Sequence, residues 1–287
     1  MRVLCDICDK NIDKYIKNKA DGFILYLKDF SISNGSAYFG LDEIKDIVSN
    51  NEGCFFISIN KNMFNDDLVD LENILIELSK IKITGILFYD MSILEIKRRN
   101  NLDINLVWNQ EHMVTNYNTC NYYYNHGVKY AILSNEITKN EMIEIRNQSD
   151  IIPIVQVVGR NNIAVSRRKL INNYYKNFEL ISNNKLEVLE KVSGDKYLLI
   201  EDNNGCSFTL DKITNGISII KELYDNKFEY IVLKEFGIDN SIFLNLVLDT
   251  INYINEGCVS LDYISKHNDI LGEYTGFLFK KTVYKVK

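Results

Sequence analysis

The segment Trp108-Asn109-Gln110-Glu111-His112-Met113-Val114-Thr115-Asn116 is the part of the chain richest in groups able to do chemistry. An apolar run breaks off there into amides, a carboxylate and an imidazole, residue types that hydrogen-bond a polar ligand or move a proton. A second such break is Leu133-Ser134-Asn135-Glu136-Ile137-Thr138, and a third is Gly159-Arg160, followed by Ser166-Arg167-Arg168-Lys169 and by Tyr174 and Tyr175. Arginine forks suit carboxylates and phosphates, and aromatic rings suit bases. The candidate catalytic groups are therefore Glu136, Ser134 and His112. The candidate substrate ligands are Gln110, Asn116, Arg160, Ser166 and Arg168.

Each has a plainer alternative. Ser134 or Thr138 can cap a helix, Glu136 can sit in a first turn favoured by the helix dipole, and the basic cluster can be a solvated helix face. A Ser-His-Asp set can be drawn from Ser134 or Ser166 with His112 and Asp90, but any long chain offers such a trio. There is no glycine-rich phosphate loop, no G-x-G-x-x-G and no H-E-x-x-H. Cys5 and Cys8 form a C-x-x-C within an expected strand, where positions i and i+3 face opposite sides, and no second pair stands at ligand spacing. No metal site is expected.

The elements that must position these groups follow from the pattern of apolar runs. Expected strands are 2–7, 22–27, 54–59, 85–89, 104–108, 130–133, 152–158 and 230–234. Helices are expected at 11–19, 41–49, 68–78, 93–99, 115–124, 139–148 and 241–254, the clearest being Leu68, Leu71, Ile74, Leu75 and Leu78 at i, i+3, i+4 spacing. About eight β/α units close a TIM-like (β/α)8 barrel. The expected organisation is a barrel over 1–258, with an accessory insertion at 160–210 on its C-terminal rim after strand seven, and a C-terminal tail at 259–287 packed on it. In the insertion, 166–175 reads as helical, and 197–200 with 207–210 read as a hairpin around Asp202-Asn203-Asn204-Gly205. The alternating tail 275–287 reads as a last strand.

Composition excludes several classes. The chain has 287 residues, 46% of them hydrophobic, with a net charge of -6, which rules out disorder and argues against a generic nucleic-acid coat, although a local basic patch can survive on an acidic protein. No apolar run is long enough to span a membrane and the start has no leader pattern, so the expectation is a cytoplasmic protein without membrane contact. Six cysteines under those conditions are read as reduced thiols.

The order of segments resembles the collagenase-like peptidases of family U32. The resemblance rests on Lys19-Ala20-Asp21-Gly22, on Gln110 to Asn116, on Tyr130-Ala131-Ile132-Leu133-Ser134-Asn135-Glu136-Ile137, on Val158-Gly159-Arg160 with Ser166-Arg167-Arg168, and on Gly276-Phe277-Leu278. It implies a barrel-like fold and, for some members, protease activity. Other relatives take part in hydroxylating RNA bases or quinone precursors with a bound iron-sulfur cluster. This chain departs from the family signature at three positions: Ile154 stands in place of a Glu, and Asn162 and Lys169 in place of two cysteines. Asn135 stands where many relatives have Arg. Clusters are generally held by four thiolates, so no cluster and no other cofactor is expected.

The leading expectation is a U32-type peptidase. The alternative is an RNA base-hydroxylation protein for tRNA or rRNA, or a non-catalytic subunit pairing with a cluster-bearing relative. The ligand is thus a peptide or an RNA. Because successive parallel strands open on one rim, Gln110, Asn116, Glu136, Arg160 and Arg168 are expected to converge on one pocket.

Overall fold

Charge-free runs such as Gly22–Leu27 and Cys54–Ile59 are buried at every position, as strands covered on both faces must be. The computed structural model describes residues 1–110, 112–181 and 185–280. Along the chain the elements are β1 (Arg2–Asp6), α1 (Asp13–Lys17), β2 (Gly22–Leu27), β3 (Tyr38–Phe39), α2 (Leu41–Asn50), β4 (Cys54–Ile59), α3 (Leu68–Leu78), β5 (Gly85–Phe88), α4 (Ser92–Asn100), β6 (Leu106–Trp108) and α5 (Tyr117–Asn125). There follow β7 (Tyr130–Ile132), α6 (Lys139–Gln148), β8 (Ile152–Ser166), α7 (Leu170–Asn177), β9 (Lys185–Leu189), β10 (Lys196–Glu201), β11 (Cys206–Asn215), α8 (Ile220–Asp225), β12 (Tyr230–Lys234), α9 (Asn240–Asn255) and α10 (Leu261–Leu271).

Strands β1, β2, β4, β5, β6, β7, β8 and β12 pair in parallel in that order, and β12 pairs with both β1 and β8, which closes the barrel. All eight expected strands are in it. Alternation along each strand separates two cores. Val3, Phe23, Leu25, Ile57 and Ile86 face outward into the layer of helices, whereas Leu4, Ile24, Phe56, Leu87, Ile154 and Val232 fill the barrel. Inside, the rings of Phe56, Tyr130 and Tyr230 meet edge to face with centroids 5.5–5.9 Å apart, the geometry that aromatic quadrupoles favour.

The accessory piece is built on one barrel strand. β8 does not stop at Val158 but runs on to Ser166, and its outer half pairs antiparallel with β11, which continues through β10 to β9. This corrects the reading of 166–175 as one helix: Ser166 is still paired with Cys206, and α7 begins only at Leu170. The Glu201 carboxylate sets that start by accepting from the backbone N–H groups of Ile171 and Asn172 at 2.7 and 3.1 Å. Strands β3 and β9 and helices α8 and α10 were not expected. At the end of the chain residues 276–279 form a turn rather than a strand, and 281–287 lie outside the described residues. No described helix is long and apolar enough to cross a membrane.

Phe56→Ala removes the ring shared by the interior aromatic trio. Urea unfolding followed by circular dichroism should show a loss of about 3–5 kcal/mol. A loss below about 1 kcal/mol would mean that the barrel interior does not carry this packing.

Candidate functional site

Side chains that point into the barrel become polar where the strands end. At the C-terminal mouth stand Asp6 at the end of β1, Tyr26 on β2, Asn60 after β4, Asn109 after β6, Gln156 on β8 and Lys234 ending β12. Asn135, in the turn after β7, joins all of these but Asp6 around a cavity of about 20 Å³, room for roughly one water molecule. Asp6 is buried, and its carboxylate accepts from the Tyr26 hydroxyl at 2.9 Å and from the Ser36 hydroxyl. Burial raises its pKa above the usual carboxylate range, opposed by the Lys234 ammonium on the neighbouring strand and by those two hydroxyls. Among the described residues, the Asn109 and Asn135 amides and the Lys234 ammonium have no hydrogen-bond partner. Those groups are the chemically uncommitted part of the mouth.

The mouth is roofed by residues 28–37, the segment between β2 and β3. Ser31, Ile32 and Ser33 in it are buried. The Asn60 amide brackets the Ile32 backbone, accepting from its N–H at 2.8 Å and donating to its carbonyl at 3.1 Å. From above, Asn204 at the tip of the β10–β11 hairpin donates to the Ser31 carbonyl at 2.7 Å. The hairpin approaches so closely that a Cβ on Gly205 would lie 2.2 Å from the Ser166 carbonyl oxygen and 3.1 Å from Ile32.

A latch beside the roof consumes most of the basic cluster. Arg167 pairs with Asp67 at 2.5 Å, donates to the Asn62 carbonyl and lies over the Phe64 ring. Lys61 pairs with the same Asp67 at 3.0 Å. Burial by itself would raise the Asp67 carboxyl, but the Phe64 N–H, Arg167 and Lys61 outweigh it and hold the pKa down to about 2. Lys169 donates to the Asp202 carbonyl. Arg160 pairs with Asp211 at 2.9 Å and lies over Phe236, packed so tightly on Gly237 that a Cβ there would sit 2.7 Å from its Nε.

The expected site residues are therefore distributed. His112 and Glu136 do meet, at 3.1 Å, but the other ring nitrogen of His112 faces the Ile163 carbonyl at 2.5 Å. The imidazole thus holds two loops against β8 and presents no free nitrogen to a nucleophile. Ser134 is fully buried, its hydroxyl accepting from the Glu136 N–H, and the Ser166 hydroxyl accepts from the Arg168 N–H. Asp90 is occupied by the N–H groups of Met63 and Ser92. Gln110 donates to the Tyr89 carbonyl and Asn116 caps α5 through Thr119. Arg168 is exposed. Sequence reading missed Asp6, Tyr26, Asn60, Gln156 and Lys234, and left Asn109 out of the ligand set although it lies in the segment 108–116. The available signal was a single polar residue at or just past the end of most of the otherwise apolar strands.

The profile of peptidase family U32 matches residues 10–184, more than half of the chain. The chain belongs to peptidase family U32. It is 28% identical over 130 residues to tRNA hydroxylation protein P2 of Bacillus subtilis (strain 168), a match spanning 45% of this chain and 42% of that relative's length. Among solved structures it is similar to orotidine 5'-monophosphate decarboxylase of Methanocaldococcus jannaschii, at 10% identity and a TM-score of 0.46 over 95% of this chain and 98% of that one. It is also similar to an Aquifex aeolicus VF5 protein, at 9% identity and a TM-score of 0.49 over 89% and 92%.

In this U32 chain the donor set does not fit the iron-sulfur cluster that the resemblance implies. Asn162 is a buried amide on β8, and Lys169 is an ammonium bound to a backbone carbonyl. Among the described residues no three His, Cys, Asp or Glu side chains are grouped to hold a metal. Burial also raises the Cys5 thiol, and raises that of Cys8 to about 12, so both stay protonated and unreactive near neutrality.

The latch carries a pH signature. A carboxyl whose pKa is depressed on folding adds stability above its unfolded pKa and loses it as the pH falls through the folded value. Asp67→Asn should cost about 1–2 kcal/mol at neutral pH after allowance for solvent screening. That difference from the unsubstituted chain should shrink between about pH 4 and pH 2 in thermal melts. A pH-independent difference would show that the ion pairs are not its source.

Proposed function

We propose that this U32 chain serves tRNA modification, as a base-hydroxylation protein or as the base-positioning partner of a related subunit, rather than peptide hydrolysis. The observation that carries the reading is the ring of amides at the barrel mouth. A side-chain amide offers a donor and an acceptor side by side, the complement of a nucleobase edge. Asn109 and Asn135 present that pair unspent, beside a lysine and a tyrosine. Enzymes acting on a base receive it single-stranded or extruded, in a pocket that reads its hydrogen-bonding edge. The similarity to the Bacillus subtilis tRNA hydroxylation protein agrees in direction. Peptide hydrolysis would need a nucleophile beside a base or an activated water, whereas Ser134, Ser166, His112 and Asp90 are each committed to backbone contacts.

In this reading the roof formed by residues 28–37 moves aside, since the closed mouth has no room for a base. The chain's own residues then bind and orient the base, while a related family member supplies what the hydroxylation requires. The work would take place in the cytoplasm.

The test is nucleoside analysis of tRNA and rRNA from cells with and without this gene, complemented by the unsubstituted chain, Asn109→Ala or Asn135→Ala. Deletion should remove one hydroxylated nucleoside. Each variant should restore it roughly 5- to 100-fold less efficiently, the worth of one bidentate base contact, with an unchanged melting temperature. Identical nucleoside profiles together with cleavage of casein by the purified chain would overturn the reading in favour of a peptidase.

A further inference from the structure

The accessory sheet ends in an open edge. On one side β9 pairs with β10 in unbroken antiparallel register, from Lys185 opposite Ile200 to Leu189 opposite Lys196. Among the described residues no strand lies on its other side. Such an edge presents a row of backbone N–H and C=O groups to whatever chain comes beside it, and is commonly guarded by proline, a bulge or charge. β9 has neither proline nor bulge. Its residues Lys185, Glu187, Val188 and Leu189 are exposed, and Ile181 before it and Val192 after it are 94% and 95% exposed.

The phase of the ladder fixes which groups face outward. Just past the strand the Glu190 N–H donates to the Asp195 carbonyl in the same register, so Val188 and Leu186, two and four residues back, also turn their backbone groups to β10. At the far end of β10 the Asp202 N–H donates to the Gly205 carbonyl. That bond aims the even-numbered residues of β10 at β11 and the odd-numbered ones at β9, the same phase. The backbone groups of Lys185, Glu187 and Leu189 therefore point out along the open edge. Their side chains share one face: Leu186 packs in the cluster beneath α7, whereas Lys185 and Glu187 line a cavity of about 440 Å³ with Arg160 and Phe236.

We propose that β9 is an interface with a second copy of this chain, the two strands pairing antiparallel about a two-fold axis at Leu186. The pairing does not depend on the RNA reading above. A strand that pairs with its own copy must set outward-facing residues against outward-facing residues, so the axis passes at a residue and not between two. An axis at Lys185 or Glu187 sets a charge against its own copy, which repels. An axis at Val188 sets the Glu187 carboxylate against Leu189, and one at Leu189 runs the pairing into the turn at 191–193. The axis at Leu186 sets Lys185 against Glu187 on both sides, each such pair exchanging two backbone hydrogen bonds, with Leu186 meeting Leu186 between them. The edge is thus complementary in charge to itself, while the same two charges disfavour an arbitrary strand. The second copy's Glu187 also comes to lie on the face that carries the cavity beside Arg160 and Phe236.

The test is sedimentation velocity of the full chain across the micromolar range, where a short strand-to-strand contact should give a monomer–dimer equilibrium. Glu187→Pro removes an outward N–H and none that serves β10, and should leave only monomer. Glu187→Lys sets Lys against Lys on both sides and should weaken dimerisation by about tenfold or more. Adding Lys185→Glu to it restores opposite charges and should bring dimerisation back to within about threefold of the unsubstituted chain. Melting temperatures of dilute, monomeric samples should agree among all of these, which separates lost pairing from lost folding. A chain that stays monomeric at every concentration, or a dimer that survives Glu187→Pro, would overturn the interface. Dimerisation that Glu187→Lys does not weaken, or that the double variant does not recover, would overturn the axis at Leu186. A chain that is monomeric alone and binds a related family member only with β9 unsubstituted would assign the edge to that partner instead.

Discussion

The continuity of β8 is the constraint on which the rest of the structure depends. Its first half sits between β7 and β12 and closes the barrel, and its second half carries β11 and, through it, the accessory sheet. The transition is a close-packed one. Gly159 has φ of +130° and a Cβ there would lie 2.6 Å from Cβ of Lys234, so the strand bends over β12 only because that position lacks a side chain. Gln156 supports the bend, donating to Asn161 at 3.0 Å. One strand thus fixes the orientation of the hairpin that reaches across the mouth, of the roof beneath it and of α7 beyond.

Much of the fold was legible because burial on both faces forces charge-free runs. All eight barrel strands could be located, and α6 was legible to the residue because Thr138 and Glu141 form a reciprocal cap. The elements that were missed lack such a signature. Helix α10 buries Tyr263, His267 and Leu271, a stripe of mixed polarity that does not read as apolar period. Strand β9 lies at a sheet edge with four of its five positions exposed, so nothing forces its pattern.

The site was less legible for a related reason. Polar residues that cluster in sequence, such as those of 108–116 and 166–169, attract attention because they lie together, but loops need such residues for their own turns, caps and latches. Gln110, Asn116 and Ser166 are used in that way. The residues of the mouth are single polar positions far apart in sequence, brought together by strand order. Asp6 and Lys234 are separated by most of the chain yet sit side by side in register. Only the closure of the barrel makes them neighbours, and closure is a property of the whole count of strands rather than of any segment.

The division between committed and uncommitted polar groups bears on how the molecule could work. The roof is held by the two hydrogen bonds of Asn60, the Asn204 contact, the Ser31 hydroxyl on the Ser58 carbonyl, the Ser36 hydroxyl on Asp6, the Lys61 ammonium on the Asp29 carbonyl and backbone bonds from Lys61 and to Ile7. Each is worth about 1 kcal/mol net, and Phe30, Ile32 and Ala37 are buried in the same segment, so lifting the roof while the barrel stays intact would cost on the order of 10 kcal/mol, partly returned by hydration of the mouth. A ligand can meet that cost only through contacts it makes in the open form and not in the closed one. Asn109, Asn135 and Lys234 are groups of that kind, since roofed over they have no hydrogen-bond partner among the described residues. The closed state is therefore stable because most of the polar groups of the roof are paired, and responsive because those of the floor beneath it are not.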